Sequence, residues 1–257
     1  MTAKGRLFLM PTPLDLGCDT PMPLAWALPP QAVEVAAQLN HWICENAKST
    51  RAFLKRVDAL QPLSQPIAAQ HLVELPRQAH KSGDHLQATP VDDLLQPALE
   101  GQDMGLISEA GMPAVADPGS SVVRAAHRLG IAVKPLVGPS ALLLALAASG
   151  MNGQQFAFWG YLPIEAGARR KAVQQLEQQA RQNGQAQLFI EVPHRNAALL
   201  TALLETLNPA TQLCLAVDLG LSTEQIRSLP VSEWRRQPTP PGKHQPTVFI
   251  VGIWPRA

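Results

Sequence analysis

Along this chain, short apolar runs alternate with stretches in which apolar residues recur every three or four positions. Leu7-Phe8-Leu9-Met10, stopped by Pro11-Thr12-Pro13, predicts a first strand. His41-Trp42-Ile43-Cys44 predicts a second, and Ser49 stands where an N-cap would open a helix through Val57. Residues 61–87 are rich in Pro, Gln and His and read as mostly irregular. Thr89-Pro90-Val91-Asp92-Asp93 has the make-up of a helix start: a capping threonine, a proline at the first helical position, acids in the first turn. Met104-Gly105-Leu106-Ile107-Ser108 predicts the next strand. Val122, Ala126 and Leu129 share one helical face, with Gly130 placed as a C-terminal cap. Ile131-Ala132-Val133 begins another strand. Pro139 and Ser140 then open an apolar helix that ends near Gly150.

A second series follows. Phe156-Ala157-Phe158-Trp159 is strand-like, and Ala168, Ala172, Val173, Leu176 and Ala180 form one helical face closed by Gly184. A strand over 187–192, a helix near 196–207, a strand over 212–217 and a last strand over 247–252 complete the pattern. Alternation of strand and helix predicts α/β layering, mainly parallel in residues 1–153 and mixed in 154–257. The boundary is placed near Asn152-Gly153, which breaks the pattern.

Composition narrows the class. With 257 residues, 46% apolar and 16% charged, the chain can build one large or two small cores and is not of disordered type. A net charge of +1 gives no global attraction to nucleic acid or anionic membrane. The longest apolar stretch, residues 141–148, is far shorter than the roughly 18–20 residues of a membrane span. Cys18, Cys44 and Cys214 are odd in number and form no C-x-x-C pair, so small apolar packing in a reducing cytosol is expected rather than a disulfide or zinc framework.

Several familiar signatures are missing. The first strand runs into Pro-Thr-Pro, not into G-x-G-x-x-G, and no G-x-x-x-x-G-K-[ST], H-E-x-x-H or G-x-S-x-G occurs. The informative segment is Gly105 onward: a strand running into a loop of small residues and then a helix. In open α/β sheets ligands bind where strand carboxyl ends meet such loops. Gly111 and Gly119 can take positive φ there. From composition alone, a ligand loop and a structural crossover are both open.

The residues Ser108-Glu109-Ala110-Gly111-Met112-Pro113-Ala114-Val115-Ala116-Asp117-Pro118-Gly119 closely resemble a signature of the tetrapyrrole-methylase superfamily, in the branch that includes bacterial 16S ribosomal RNA 2′-O-ribose methyltransferases. The resemblance continues in order at Pro11-Thr12-Pro13-Leu14, Glu45-Asn46-Ala47-Lys48, Pro135-Leu136-Val137-Gly138-Pro139-Ser140-Ala141, Phe156-Ala157-Phe158-Trp159-Gly160-Tyr161-Leu162-Pro163 and Phe189-Ile190-Glu191-Val192-Pro193-His194-Arg195. It implies two α/β domains with a cofactor cleft between them, a homodimer, and S-adenosylmethionine as methyl donor. Cofactor contacts carried over are Pro11, Thr12, Pro13, Leu14, Ser108, Glu109, Ala110, Gly111, Ala114, Val115, Ser140, Ala141, Val192 and Leu219.

Methyl transfer from a sulfonium is an in-line displacement whose leaving thioether needs no proton, so alignment carries the chemistry and no metal is expected. A hydroxyl acceptor would gain from a base. Glu45, Lys48 and His194 are the catalytic candidates, each with a plain alternative: a surface turn, a solvated helix start, a turn histidine. Asp117 is expected to cap the following helix, and Arg169-Arg170-Lys171 reads as a solvated first turn or a phosphate contact.

The chain also departs from the ribosomal RNA enzymes. Asp15-Leu16 intervene before Gly17 in the opening loop, Glu45-Asn46-Ala47-Lys48 replaces an acidic pair followed by arginine, and charged motifs are replaced at Val217-Asp218-Leu219-Gly220 and Lys243-His244-Gln245. The acceptor is therefore left open among an RNA ribose, a tetrapyrrole precursor or other small molecule, and none at all, as in a non-catalytic cofactor-binding relative.

Overall fold

The computed structural model describes residues 3–15, 18, 21–76 and 91–254. Its contacts divide the chain into two compact units, Met1–Ser140 and Ala141–Ala257. The boundary expected from Asn152-Gly153 lies further along by one helix, Ala141–Ser149, which packs against strands of the second unit.

The first unit holds β1 (Arg6–Met10), β2 (His41–Cys44), β3 (His71–Glu74), β4 (Met104–Ile107) and β5 (Ala132–Pro135). They form one sheet in the order β3-β2-β4-β1-β5 with every pair parallel. The central strands are buried on both faces, which is why they read as continuous apolar runs. One face packs Phe8, Met10 and Trp42 against α1 (Leu24–Ala27), α2 (Pro30–Gln38) and α3 (Ala47–Asp58). The other packs Leu7, Ile43 and Leu106 against α4 (Gln96–Leu99) and α5 (Ser120–Arg128). Trp42 is 1% exposed and its ring lies where a side chain on Gly105 would stand, so the glycine in β4 makes room for the tryptophan on its neighbour.

The second unit holds β6 (Phe156–Tyr161), β7 (Ala186–Ile190), β8 (Gln212–Val217), β9 (Gln225–Pro230) and β10 (Thr247–Gly252). Their order is β6-β7-β10-β8-β9; only β6 and β7 pair in parallel. Phe189 and Phe249 stack at the centre of its core, covered by α7 (Ala166–Asn183), α8 (Asn196–Thr206) and α9 (Val231–Arg236). The helix α6 (Ala141–Ser149) contacts β8, β9 and β10.

Three local expectations are corrected. The cap of α3 is Asn46, whose side chain accepts the Lys48 and Ser49 amides at 2.8 and 3.4 Å; the Ser49 hydroxyl instead donates back to the Asn46 carbonyl at 3.0 Å. Asp117 does not cap α5, which opens on Gly119 at φ 133° with no side-chain cap. Strand β3 runs through the stretch expected to be irregular. The helix start expected at Thr89-Pro90 lies outside the described residues; the chain resumes at a 3-10 turn, Asp92–Leu95. No described helix is long and apolar enough to cross a membrane.

Candidate functional site

Strands β1, β2 and β4 are parallel neighbours, so their carboxyl ends deliver Pro11, Glu45 and Ser108 to one edge of the first sheet. There the opening loop and the loop after β4 join through a two-bond bridge. The Thr12 amide donates to the Gly111 carbonyl at 2.9 Å, and the Gly111 amide donates to the Thr12 carbonyl at 3.1 Å. Gly111 sits at φ 79°, and a side chain on it would press on Leu14 and approach the Pro139 carbonyl. Gly138 lies against the Pro11 ring so closely that a Cβ would overlap it. Two of the sequence-predicted cofactor loops and the Gly138-Pro139 turn thus meet at one place.

Glu45 holds this arrangement from below: its carboxylate accepts the Glu109 amide at 3.0 Å, and its own amide donates to the Ile107 carbonyl at 3.1 Å. Among the described residues of the first unit, Ser108 Oγ is the one buried side-chain polar atom without a well-formed hydrogen bond. The loop then turns through Ala114 and Ala116, both at φ 65°, and brings half-buried Asp117 back beside Ser108. Burial pushes the Asp117 carboxyl up to about 7; the charge of Glu45 adds to this, the nearby Ser108 hydroxyl opposes it, and Glu109 adds again. Val115 points outward and is 44% exposed. Lys48 is exposed on the first turn of α3.

A cavity of about 240 Å³ opens beside this edge, lined by Thr12 and Pro13 of the opening loop, Ala52, Phe53 and Arg56 of α3, and Ser108 and Glu109 after β4. Asp15, placed in the loop where the resemblance expects a glycine, forms a two-pronged pair with Arg56 at 3.1 and 2.9 Å and also accepts the Met22 amide at 3.0 Å. Arg56 donates further to the Met22 carbonyl at 2.6 Å. This clamp was missed as a site feature: its members are 41 positions apart, and no spacing rule links a loop acid to the far end of a helix.

The second unit presents the remaining candidates. Strands β7 and β8 both run against β10, so Val192 and Leu219 leave the second sheet at one edge. Glu191 accepts its neighbour Val192's amide at 2.8 Å and pairs with Arg195 at 2.6 Å. Exposed His194 lies in the turn between them and α8. Asp218, buried and at φ 51°, accepts from Gln245 at 2.6 Å and from Thr223 at 2.9 Å. Asn196 donates to the Gln245 carbonyl at 2.9 Å and to Thr247 at 3.1 Å. Ser140 ends the first unit and Ala141 begins the second. Cys44 and Cys214 are buried, which raises both thiols to about 11 and leaves them as packing groups; Cys18 is half-exposed.

A family model described as Tetrapyrrole (Corrin/Porphyrin) Methylases matches residues 26–234. The chain belongs to the tetrapyrrole methylase family. Tetrapyrrole methylases are methyltransferases whose methyl donor is S-adenosylmethionine. A ribosomal RNA small subunit methyltransferase I from Pseudomonas aeruginosa is 39% identical over 133 residues, covering 52% of this chain and 46% of that protein. The protein of the same name from Escherichia coli O157:H7 is 29% identical over 231 residues, covering 90% and 71%. The chain therefore spans about half the length of the first of these relatives. The solved structure of the methyltransferase CobJ matches at a TM-score of 0.57 and 17% identity, over 98% of this chain and 97% of that one, a likeness of fold.

Proposed function

We propose that this tetrapyrrole methylase transfers the methyl group of S-adenosylmethionine to a ribose 2′-hydroxyl of small-subunit ribosomal RNA. The observation that carries the reading is the Thr12–Gly111 bridge beside Ser108 Oγ, a buried hydroxyl left without a well-formed partner at the end of a parallel strand. Such an edge fits the donor's polar groups: Gly111 and Gly138 let the loops close on one another there, and a hydroxyl at that edge can serve as donor or acceptor. The bound donor would supply an activated methyl on a sulfonium. The residues proposed to hold it are Pro11, Thr12, Pro13, Leu14, Ser108, Glu109, Ala110, Gly111, Ala114, Val115 and Ser140 in the first unit, with Ala141, Val192 and Leu219 in the second.

The protein's share of the work is alignment, which can supply several kcal/mol of the barrier. Glu45 fixes the backbone that positions the donor. Lys48 is proposed to meet the acceptor's charge, and His194 to receive the hydroxyl proton. The acceptor class is supported by the names of relatives that cover most of this chain. The test is transfer of labelled methyl to small ribosomal subunits prepared from cells lacking this protein. Label on ribose 2′-oxygens after nuclease digestion is expected. Label confined to a small-molecule fraction would move the assignment to another acceptor.

A further inference from the structure

Resting on the proposed donor site, we infer that the 240 Å³ cavity between the opening loop and α3 is the subsite for the acceptor's ribose. Size comes first. Pockets for whole drug-sized ligands run from roughly 300 Å³ upward, so this cavity of about 240 Å³ has room for one small ring.

Charge comes next. Arg56 would attract a phosphoryl group if it were free, but Asp15 engages it through both nitrogens, and the Met22 carbonyl accepts a further hydrogen bond from it. With that pair neutral, Glu109 leaves the lining negative, which disfavours an anion and suits hydroxyl donors. The walls are also divided in character. Pro13, Phe53 and Ile107 offer apolar surface, while Ser49 and Glu109 offer polar groups. A furanose has the same division, with C–H faces and a rim of hydroxyls.

The test fills the cavity from its solvent side. Ala52 is exposed on α3 and lines the opening, so Ala52→Phe adds bulk there without entering the core. Methylation of small ribosomal subunits is expected to fall by about 100-fold, as displacement of a reactant by an ångström does. Calorimetric binding of S-adenosylhomocysteine and the melting temperature stay at wild-type values. Ala52→Leu gives a smaller loss, and Lys55→Phe, on the same helix outside the lining, leaves methylation intact. Wild-type methylation by Ala52→Phe would overturn the subsite, as would a matching loss of S-adenosylhomocysteine binding, which would give the cavity to the donor. Wild-type protein that binds S-adenosylhomocysteine but methylates no RNA overturns the ribose assignment alone. Wild-type protein that binds none overturns the donor reading beneath it.

Discussion

The strand-end edges of the two units are built in opposite ways. In the first, a backbone bridge between Thr12 and Gly111 joins the loops, braced by the Glu45 carboxylate on the Glu109 amide, and a cavity opens beside it. In the second, side chains knit the edge to itself, with Asp218 to Gln245 and Thr223, Asn196 to Thr247, and Arg195 to Glu191. Asp218 and Gln245 are spent on each other. An edge joined by a backbone bridge leaves room for a cavity beside it; an edge cross-linked by its own side chains gains order and offers less.

Breaking each edge should therefore give different losses. The largest is expected for Gly138→Ala, because the new methyl overlaps the Pro11 ring and the opening loop must move. An overpacking cost of about 1–3 kcal/mol corresponds to roughly a five- to 150-fold loss in S-adenosylhomocysteine affinity, read by calorimetry. Asp218→Ala should act on stability: it strands the Gln245 and Thr223 donors and puts alanine at φ 51°. A loss of about 1–3 kcal/mol is expected in urea unfolding, with Asp218→Asn milder because it keeps the shape.

Asp117 allows a pH test of the first edge. Its folded carboxyl is raised to about 7 from an ordinary value of 3.8, so between those values the native state holds more protons than the unfolded chain. Stability from this group is full below pH 4 and drains away as pH rises through 7. Asp117→Asn should flatten that slope and raise the melting temperature at pH 8 by roughly 2–4 °C, the shift that 1 kcal/mol gives in a chain of this size. The smallest effect is expected at Lys48→Ala. This exposed change should alter stability by less than about 0.5 kcal/mol while lowering the salt dependence of RNA binding by roughly one ion.

Much of this architecture is legible in the sequence where burial is two-sided. The apolar runs of β1, β2, β4, β8 and β10 announce themselves because both faces are covered. Two edge strands do not: β3 (His71-Leu72-Val73-Glu74) and β9 are mostly exposed or half-exposed and no apolar rhythm marks them, whereas the edge strands β5 and β6 still carry short apolar runs. The α3 cap was misread because Asn46 and Ser49 are both capping types, and only the hydrogen bonds decide between them. In the site, Thr12, Ser108 and Gly111 were legible through an ordered motif. The Asp15–Arg56 clamp and the cavity it borders depend on how a loop folds over a helix, which no local pattern encodes.

The central claim is that the first unit's strand-end edge holds the methyl donor. Hydrogen exchange with and without saturating S-adenosylhomocysteine, on protein whose binding calorimetry has confirmed, tests it most directly. Slowed exchange at the amides of Thr12, Leu14, Glu109, Ala110 and Gly111 is expected. Binding with no protection in either loop would contradict it.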